Sequence, residues 1–529
     1  MYKILIADPI HADGIAFLEA QSDVQCVVRT RMSHQEVLEC IDGYHGLIVR
    51  SETQVTQDVL EKGNFLQVVG RAGVGVDNIA LNIATRLGVA IVNAPTGNTI
   101  AAVEHTIALL LSLARHVPQA DASLKRGEWR RGEFMGVEVR GKTLGIVGLG
   151  RVGSEVARRA IGMDMHVLGY DPFVSPDYCS KLGIELESLA NVLSNSDFLT
   201  LHTPLTDTTR HIIGTEEIAS LKKGIRLLNV ARGGLIDETA LQNGLDSGQV
   251  AGAALDVFVQ EPPQNTALIA HPRVITTPHL GGSTIEAQAQ VAIEVVEQVL
   301  SVLRGQPARY TVNAPFVAPE AQELIAPFLQ VAMDVGKIAI QLSEGQLASV
   351  TLRFQGEIAS SDTSGIKAAA LMGLLQPITE ERVNLVNANF LAEQRNLQVI
   401  ELADSSLPDQ YSSLITVEIA TSEGPIRVSG TYLRGTTHLV RVRDEWMDAE
   451  LDIPYLLFID HYDQPGLIGL VGSITGKHDI NIAFMAVGRQ EVRGRATMVV
   501  GLDDPMADSV LAEVRSVPQI EVARVVRLT

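Results

Sequence analysis

Three polar residues stand where the chain leaves an apolar run: Arg232 after RLLNVA, Glu261 after ALDVFVQ and His279 after RVITTP. Together they suit hydride transfer at a 2-hydroxy or 2-oxo acid. A forked guanidinium fixes a carboxylate and polarises the neighbouring carbonyl. A histidine exchanges the hydroxyl proton near neutral pH, and a carboxylate beside it orients the ring and steadies its protonated form. Each residue also has a plain structural reading. Arg232 precedes two glycines and could cap a helix or meet a backbone carbonyl. Glu261 precedes two prolines, as many solvated loop residues do, and His279 could be a polar loop residue. Spacing alone does not place Glu261 against His279.

The stretch GKTLGIVGLGRVGSEVARRAIGMDMHVLGYD (141–171) predicts a dinucleotide site. LGIV reads as a buried strand, followed at once by Gly148-x-Gly150-x-x-Gly153, a helix, and a second strand (HVLGY) ending at Asp171. The first glycine allows the tight turn, the second lets backbone approach a pyrophosphate, and the third lets the helix pack on the strand. Asp171 takes the place of the acid that binds the adenosine ribose hydroxyls. It favours NAD over NADP, because a 2′-phosphate would meet a carboxylate.

These residues need elements to hold them. In residues 1–97, ILIA (4–7), GLIVR (46–50), FLQVVGRAG (65–73) and VAIVNAP (89–95) predict strands, with helices between them such as 33–41. Strand–helix alternation implies a parallel sheet covered on both faces. A long helix is predicted over 99–116, and a second αβ series runs from 142 to about 280. Ser283 and Glu286 read as a capping box for the next helix, with Ala289, Ile293, Val296, Leu300 and Leu303 as its apolar stripe and Gly305 and Pro307 ending it. His279 is therefore expected in a strand-to-helix turn. Pro315 and Pro319 frame a linker (313–320). A third αβ segment then runs to about 452, and a strand–turn–helix–turn–strand pattern begins near 453.

Composition bounds the function. The chain has 529 residues, which predicts roughly three to four domains. A formal net charge of −20 argues against nucleic acid or an anionic membrane as the main partner. Three cysteines, Cys26, Cys40 and Cys179, without a CxxC pair, fit a reducing cytoplasm and give no Cys-based zinc site. No metal site and no stretch approaching a membrane span are expected.

The chain resembles the D-isomer-specific 2-hydroxyacid dehydrogenase family, and within it the long-form branch that acts on 3-phosphoglycerate. The resemblance rests on LIVRSET (47–53), VGRAGVGVDNIA (69–80), NAPTGNTIAAVEHT (93–106), GIVGLGRVG (145–153), NVARGGLIDETAL (229–241), ALDVFVQEPP (254–263) and TPHLGGST (277–284). It implies Arg232 as the carboxylate-binding and polarising group, His279 as acid/base and Glu261 as its partner. It implies NAD contacts at Gly148, Gly150, Arg151, Val152, Gly153, Asp171, Thr203, Val230, Ala231, Arg232, Asp256, His279, Gly281 and Gly282. Val74, where a threonine is common in the family, would offer its backbone. Arg50, Arg71, Gly73, Asn98 and Arg131 would face a phosphorylated hydroxy acid, Arg131 across a subunit interface.

The implied fold is α/β. A Rossmann-like nucleotide domain (98–289) is inserted in a flavodoxin-like substrate domain (1–97 and 290–315). An intervening domain (316–452) and an ACT domain (453–529) follow, both α+β. The resemblance implies NAD-dependent oxidation of D-3-phosphoglycerate to 3-phosphohydroxypyruvate, the first step of L-serine synthesis, with reduction of 2-oxoglutarate as a side activity. It also implies a homodimer or homotetramer, with L-serine as an effector at His461, Asp463 and Asn481 of the ACT interface. Two other readings stand beside it: a glyoxylate/hydroxypyruvate or D-lactate type dehydrogenase, and a non-catalytic NAD-sensing scaffold.

Overall fold

The computed structural model describes residues 1–306, 308–315, 319–406 and 411–528. Pro307 and the middle of the expected linker, 316–318, lie outside those residues; Pro319 opens a helix, Pro319–Leu342.

The first sheet contains β1 (Tyr2–Ile6), β2 (Val24–Val28), β3 (Gly46–Val49), β4 (Val68–Arg71) and β5 (Ala90–Asn93) in the order β2-β1-β3-β4-β5. All its pairings are parallel. Alternate residues of one strand feed opposite faces: Ile4 and Ile6 enter one core, Leu5 the other. That two-sided burial is why these strands read as unbroken apolar runs. The edge strand β2 buries none of its residues fully, so it carries no such signal.

The second sheet contains β6 (Thr143–Val147), β7 (His166–Tyr170), β8 (Glu185–Leu186), β9 (Phe198–Leu201), β10 (Ile225–Asn229), β11 (Val250–Leu255) and β12 (Val274–Thr276). Their order is β12-β11-β10-β9-β6-β7-β8, again parallel. The chain reverses direction across the sheet between β6 and β9. Ligands of such sheets bind outside the strand ends at that switch point.

Two crossings join the two sheets. The first leads from β5 into the helix Thr99–Arg115, which packs on the fingerprint helix. The second leads from β12 into the helix Ile285–Leu303, which returns to the first sheet. There Val295 and Val299 lie against Gly70, where a Cβ would come within 2.6 Å of Val299, so glycine is required for the approach. The buried carboxylate of Glu294, on the return helix, accepts from Thr96 Oγ1 (2.7 Å) and the Gly97 N–H (3.1 Å) on the first crossing. The return helix starts one residue off the predicted box. Its cap is Thr284, whose hydroxyl accepts from the Ala287 N–H, whereas the Ser283 N–H is used in a turn to Leu280.

The third sheet contains β13 (Leu347–Gly356), β14 (Gln398–Asp404), β15 (Ser413–Thr421), β16 (Gly424–Leu433), β17 (Thr436–Val442) and β18 (Glu445–Glu450), ordered β14-β13-β15-β16-β17-β18. Against the expectation from the sequence, one helix segment, Leu324–Leu342, is long and apolar enough to cross a membrane. It is the central helix of this unit, packed on the helix Ser364–Leu375 and on β15 and β16, and its apolar side chains fill that core.

The last sheet contains β19 (Tyr455–Tyr462), β20 (Ile482–Arg489), β21 (Arg495–Leu502) and β22 (Ile520–Arg527) in the antiparallel order β20-β21-β19-β22. Helices Leu467–Lys477 and Asp508–Arg515 cover one face. The other face, through Leu456, Phe458, Val499 and Val526, joins the core of the preceding unit.

Candidate active site

β6 delivers the chain to Gly148, whose φ of 97° is the left-handed region that favours glycine. A Cβ there would lie 2.7 Å from the His202 carbonyl oxygen, and one on Gly153 would lie 2.0 Å from the Gly148 oxygen. A Cβ on Gly150 would meet nothing within 4 Å, so this turn has open space in front of it at the start of the helix Arg151–Ile161. Asp171 follows β7, and one of its oxygens accepts the Leu149 N–H at 2.9 Å. The buried hydroxyl of Thr203 has no hydrogen-bond partner among the described residues. An open glycine turn, a helix start, a carboxylate at the next strand end and an orphaned hydroxyl fit a dinucleotide.

The loop after β12 carries His279 at φ 54°. Its Nδ1 is 2.7 Å from Glu261 Oε2, and both side chains are partly exposed. A carboxylate only accepts, so Nδ1 carries the hydrogen and Nε2 is left free as a base. Asp256 holds this loop. Its fully buried carboxylate accepts from the N–H groups of Leu280 and Gly281 (both 2.8 Å) and from Thr277 Oγ1 (2.5 Å), and lies 3.2 Å from His105 Nε2. Burial alone would raise the Asp256 pKa. The hydrogen bonds from His105, Thr277 and the loop outweigh it and hold the carboxyl below its ordinary value. Asp256, one of the residues expected at the cofactor, positions the histidine loop.

Arg232 reaches the first domain. Its Nε is 3.5 Å from Asp77 Oδ2, and a Cβ on Gly75 would lie 2.3 Å from its guanidinium. Arg71 is largely buried nearby, and its Nε is buried without a partner among the described residues. Burial, then the Arg232 charge, then Arg50 push Arg71 down to about 10, against the opposing pull of Asp77 and Asp8. Three guanidiniums therefore gather where the two domains face one another. The Arg50 loop is tied by buried Asp8, which accepts from the N–H groups of Arg50 (2.6 Å) and Thr53 (3.1 Å). A desolvated, unpaired guanidinium among like charges fits an anionic ligand.

A family model described as D-isomer specific 2-hydroxyacid dehydrogenase, NAD binding domain, matches residues 107–281. One described as the D-3-phosphoglycerate dehydrogenase intervening domain matches residues 324–443. The D-3-phosphoglycerate dehydrogenase of Synechocystis sp. is 42% identical over 100% of this chain and 95% of its own. That of Bacillus subtilis is 41% identical over 100% of both. The chain belongs to the D-3-phosphoglycerate dehydrogenase family. Among solved structures, the TT0316 protein from Thermus thermophilus matches with TM-score 0.55 and 32% identity over 59% of this chain and 99% of its own. D-Lactate dehydrogenase from Aquifex aeolicus, solved with NAD and lactic acid, matches with TM-score 0.54 and 27% identity over the same shares. As a D-3-phosphoglycerate dehydrogenase family member the chain is an NAD-dependent oxidoreductase.

Other expected residues of this family member lie as follows. Val230 touches the histidine loop, its side chain 3.1 Å from where a Gly281 Cβ would sit, and the Ala231 N–H donates to Asn229. Val74 gives its carbonyl to Asn93 Nδ2, and Gly73 gives its carbonyl to the Ala94 N–H. Asn98 packs on Gly282, so the two crossings touch there. Val152 is half-buried on the fingerprint helix. The Arg151 side chain turns away from the glycine turn: it donates to the Pro95 carbonyl (3.3 Å) and stacks over Tyr310, 5.6 Å from the ring centre. Arg131 is exposed in the short turn Arg131–Phe134 and makes no ion pair among the described residues.

In the last domain, His461 and Asp463 line one pocket of about 260 Å³. Asp463 accepts from Arg489 Nη1 (2.5 Å), and that bond holds its carboxyl below the ordinary value. Asn481 is elsewhere. It precedes β20 beside Asp503, at the end of the sheet where Tyr455 pairs with Leu502, while His461 pairs with Ala496 at the other end. Eight-residue strands separate the two ends by roughly 23 Å. One chain therefore does not assemble all three expected effector residues.

Asp8 and Glu294 lie outside the motifs of the sequence, and Asp77 and His105 lie inside two of them with no role assigned. Each acts through the chain's folding. AVEHT gives His105 a helical address, yet nothing in it says that the ring meets an aspartate 151 positions later.

Proposed function

We propose that the protein oxidises D-3-phosphoglycerate to 3-phosphohydroxypyruvate, the first step of L-serine synthesis. The arginine cluster carries this reading: Arg50, Arg71 and Arg232 supply more positive charge than a monoanionic hydroxy acid needs and suit a carboxylate plus a phosphate. NAD, when bound at the glycine turn with Asp171 on its ribose, supplies the acceptor for the C2 hydride. His279 Nε2 takes the C2 hydroxyl proton. Glu261, at Nδ1, holds the ring and stabilises the imidazolium that forms. Arg232 binds the substrate carboxylate and polarises the developing carbonyl, and Arg71 with Arg50 receives the phosphate. Asp77 keeps Arg232 aimed across the cleft.

The same cluster accepts 2-oxoglutarate, whose two carboxylates resemble the carboxylate–phosphate pair, and its reduction is the side activity. Arg131 completes the phosphate site only from a second subunit, so the working form is a homo-oligomer. The chain divides into the substrate domain (1–97, 290–315), nucleotide domain (98–289), intervening domain (316–452) and ACT domain (453–529), and works in the cytoplasm. L-Serine binds between ACT domains of two chains, with His461 and Asp463 from one and Asn481 from the other. Arg489 neutralises Asp463 and removes the repulsion that a bare carboxylate would offer the amino acid's own.

Nicotinamide absorbance with NADH and 3-phosphohydroxypyruvate, beside glyoxylate, pyruvate and 2-oxoglutarate, tests the assignment. Turnover fastest with the phosphorylated acid supports it. Turnover with only the small acids makes the protein another 2-hydroxyacid dehydrogenase. Tight NADH binding without turnover of any makes it a scaffold.

A further inference from the structure

The nucleotide sheet has a second polar end. Where β6, β9 and β10 begin, opposite the edge that holds the glycine turn, Lys142, Lys222, Lys223 and Arg226 line a pocket of about 170 Å³. The five residues of β10 put it roughly 15 Å from the cofactor edge. Asp197 is the carboxylate among its walls, and it is already used: one oxygen accepts the Thr143 N–H (2.9 Å) and the other accepts from Lys222 Nζ (2.8 Å). Lys142, Lys223 and Arg226 make no ion pair within 4 Å among the described residues, although Asp197 is near enough to act on Lys142 and Arg226.

Arg226 is the telling group. It is half-buried, with its guanidinium 5.4 Å over the Phe198 ring, and it makes no side-chain hydrogen bond among the described residues. His116, in the left-handed link between helices Thr99–Arg115 and Val117–Lys125, stands near enough that burial and then the Arg226 charge push its imidazole below the ordinary value. Its ring makes no hydrogen bond either among the described residues. Burial disfavours the Arg226 charge and the Asp197 carboxylate favours it, but that carboxylate is shared with Lys222 and Lys142, so the cations outnumber it and an anion would complete the set. The chain as a whole carries −20, so this local excess of positive charge is not a general surface property.

We propose that this pocket binds a phosphate group, with Arg226 as its forked donor, Lys142 and Lys223 as its point charges and His116 at its margin. The pocket is too small for a nucleotide and open enough for a phosphate head, as inorganic phosphate or the end of a phosphate monoester. The site does not depend on the assignment of the substrate, because no residue is shared with the arginine cluster across the cleft.

Calorimetric titration of the full chain with inorganic phosphate at constant ionic strength, repeated with glycerol 2-phosphate, tests it. The titration is done in an Arg71→Gln background, which removes one of the two cations assigned to the phosphate in the cleft. One phosphate per chain is expected to remain bound. Lys223→Gln and Arg226→Gln are each expected to weaken that binding about tenfold, the worth of one charge-assisted hydrogen bond. In the chain with native Arg71, both are expected to leave turnover within about twofold, since neither residue reaches the cleft. Lys223 is exposed, so its variant keeps the test sound if Arg226→Gln fails to fold. Tighter binding of the ester assigns a monoester, and tighter binding of inorganic phosphate assigns the free ion; either supports the site. Loss of all phosphate binding in the Arg71→Gln background, or binding there that ignores both substitutions, overturns it.

Discussion

Glu261 Oε2 lies 2.7 Å from His279 Nδ1, although the two residues follow different strands, β11 and β12. Replacing His279 by alanine is expected to lower kcat by roughly 10²–10⁴-fold, the usual worth of a general base. NADH binding, followed by fluorescence, should be unchanged. Glu261→Gln should cost less, because the amide still holds the ring but no longer balances the imidazolium. A Glu261→Gln variant with the loss of His279→Ala would mean that Glu261 itself moves the proton.

Arg71 sits buried beside two other guanidiniums. Arg71→Gln should remove a charge-assisted contact worth about 1.5–3 kcal/mol and raise KM for the phosphorylated substrate by roughly ten- to a hundredfold. The protein without substrate should become no less stable, since the change relieves like-charge repulsion. Parallel kinetics and thermal unfolding separate the two effects, and a large drop in Tm would show that Arg71 is structural.

If Asp171 holds the adenosine ribose, it selects NAD. Asp171→Ser should shift the ratio of kcat/KM with NADP to kcat/KM with NAD toward NADP. Some loss with both is expected, because the same carboxylate holds the Leu149 N–H. Unchanged preference would remove Asp171 from the ribose.

Two buried carboxyls should tilt stability with pH in opposite senses. Burial raises Asp334, in the long intervening-domain helix, to about 6, against the Gln330 hydrogen bond and Lys337. Its native form binds a proton that the unfolded chain releases at about 4, so its contribution is present at low pH and is lost as pH rises through about 6. Asp334→Asn should therefore stabilise the protein by on the order of 2 kcal/mol at pH 7 and by little at pH 4. Asp256 is held low, so its contribution is present above the ordinary carboxylate range and fades as acid titrates the native group. Urea midpoints of both asparagine variants across pH 2–8 check the two signs, and parallel curves for the pair would contradict them.

The sequence is most legible where chemistry is written in consecutive residues. The glycine turn and Asp171 stand together because one βαβ unit spells both. The start of the return helix differs from its prediction by one residue: Ser283 and Thr284 both offer a capping hydroxyl, and only the Leu280 turn, which uses the Ser283 N–H, decides between them. The apolar run at 324–342 hides its nature for a different reason. A core helix and a membrane span share a composition, and only the sheet beside it distinguishes them. Family position groups Asn481 with His461, while the strand register sends them to opposite ends of one sheet. Asp77 and His105 stand inside quoted motifs, yet nothing near them in the chain announces Arg232 or Asp256 as their partners.

The two crossings between the domains are clipped together by Glu294 and touch at Asn98 and Gly282. A body joined to another at two adjacent points retains a single easy rotation, about the line through them, as a door does on its pins. Twisting or sliding would have to tear Glu294 from Thr96 and Gly97. The histidine loop is the segment next to that axis, so it sweeps the shortest arc, whereas Arg50 and Arg71 lie out on the moving panel. Opening the cleft should therefore carry Arg50 and Arg71 away from Arg232 while His279 and Glu261 keep their contact, so the pair would not have to be rebuilt each time the cleft closes.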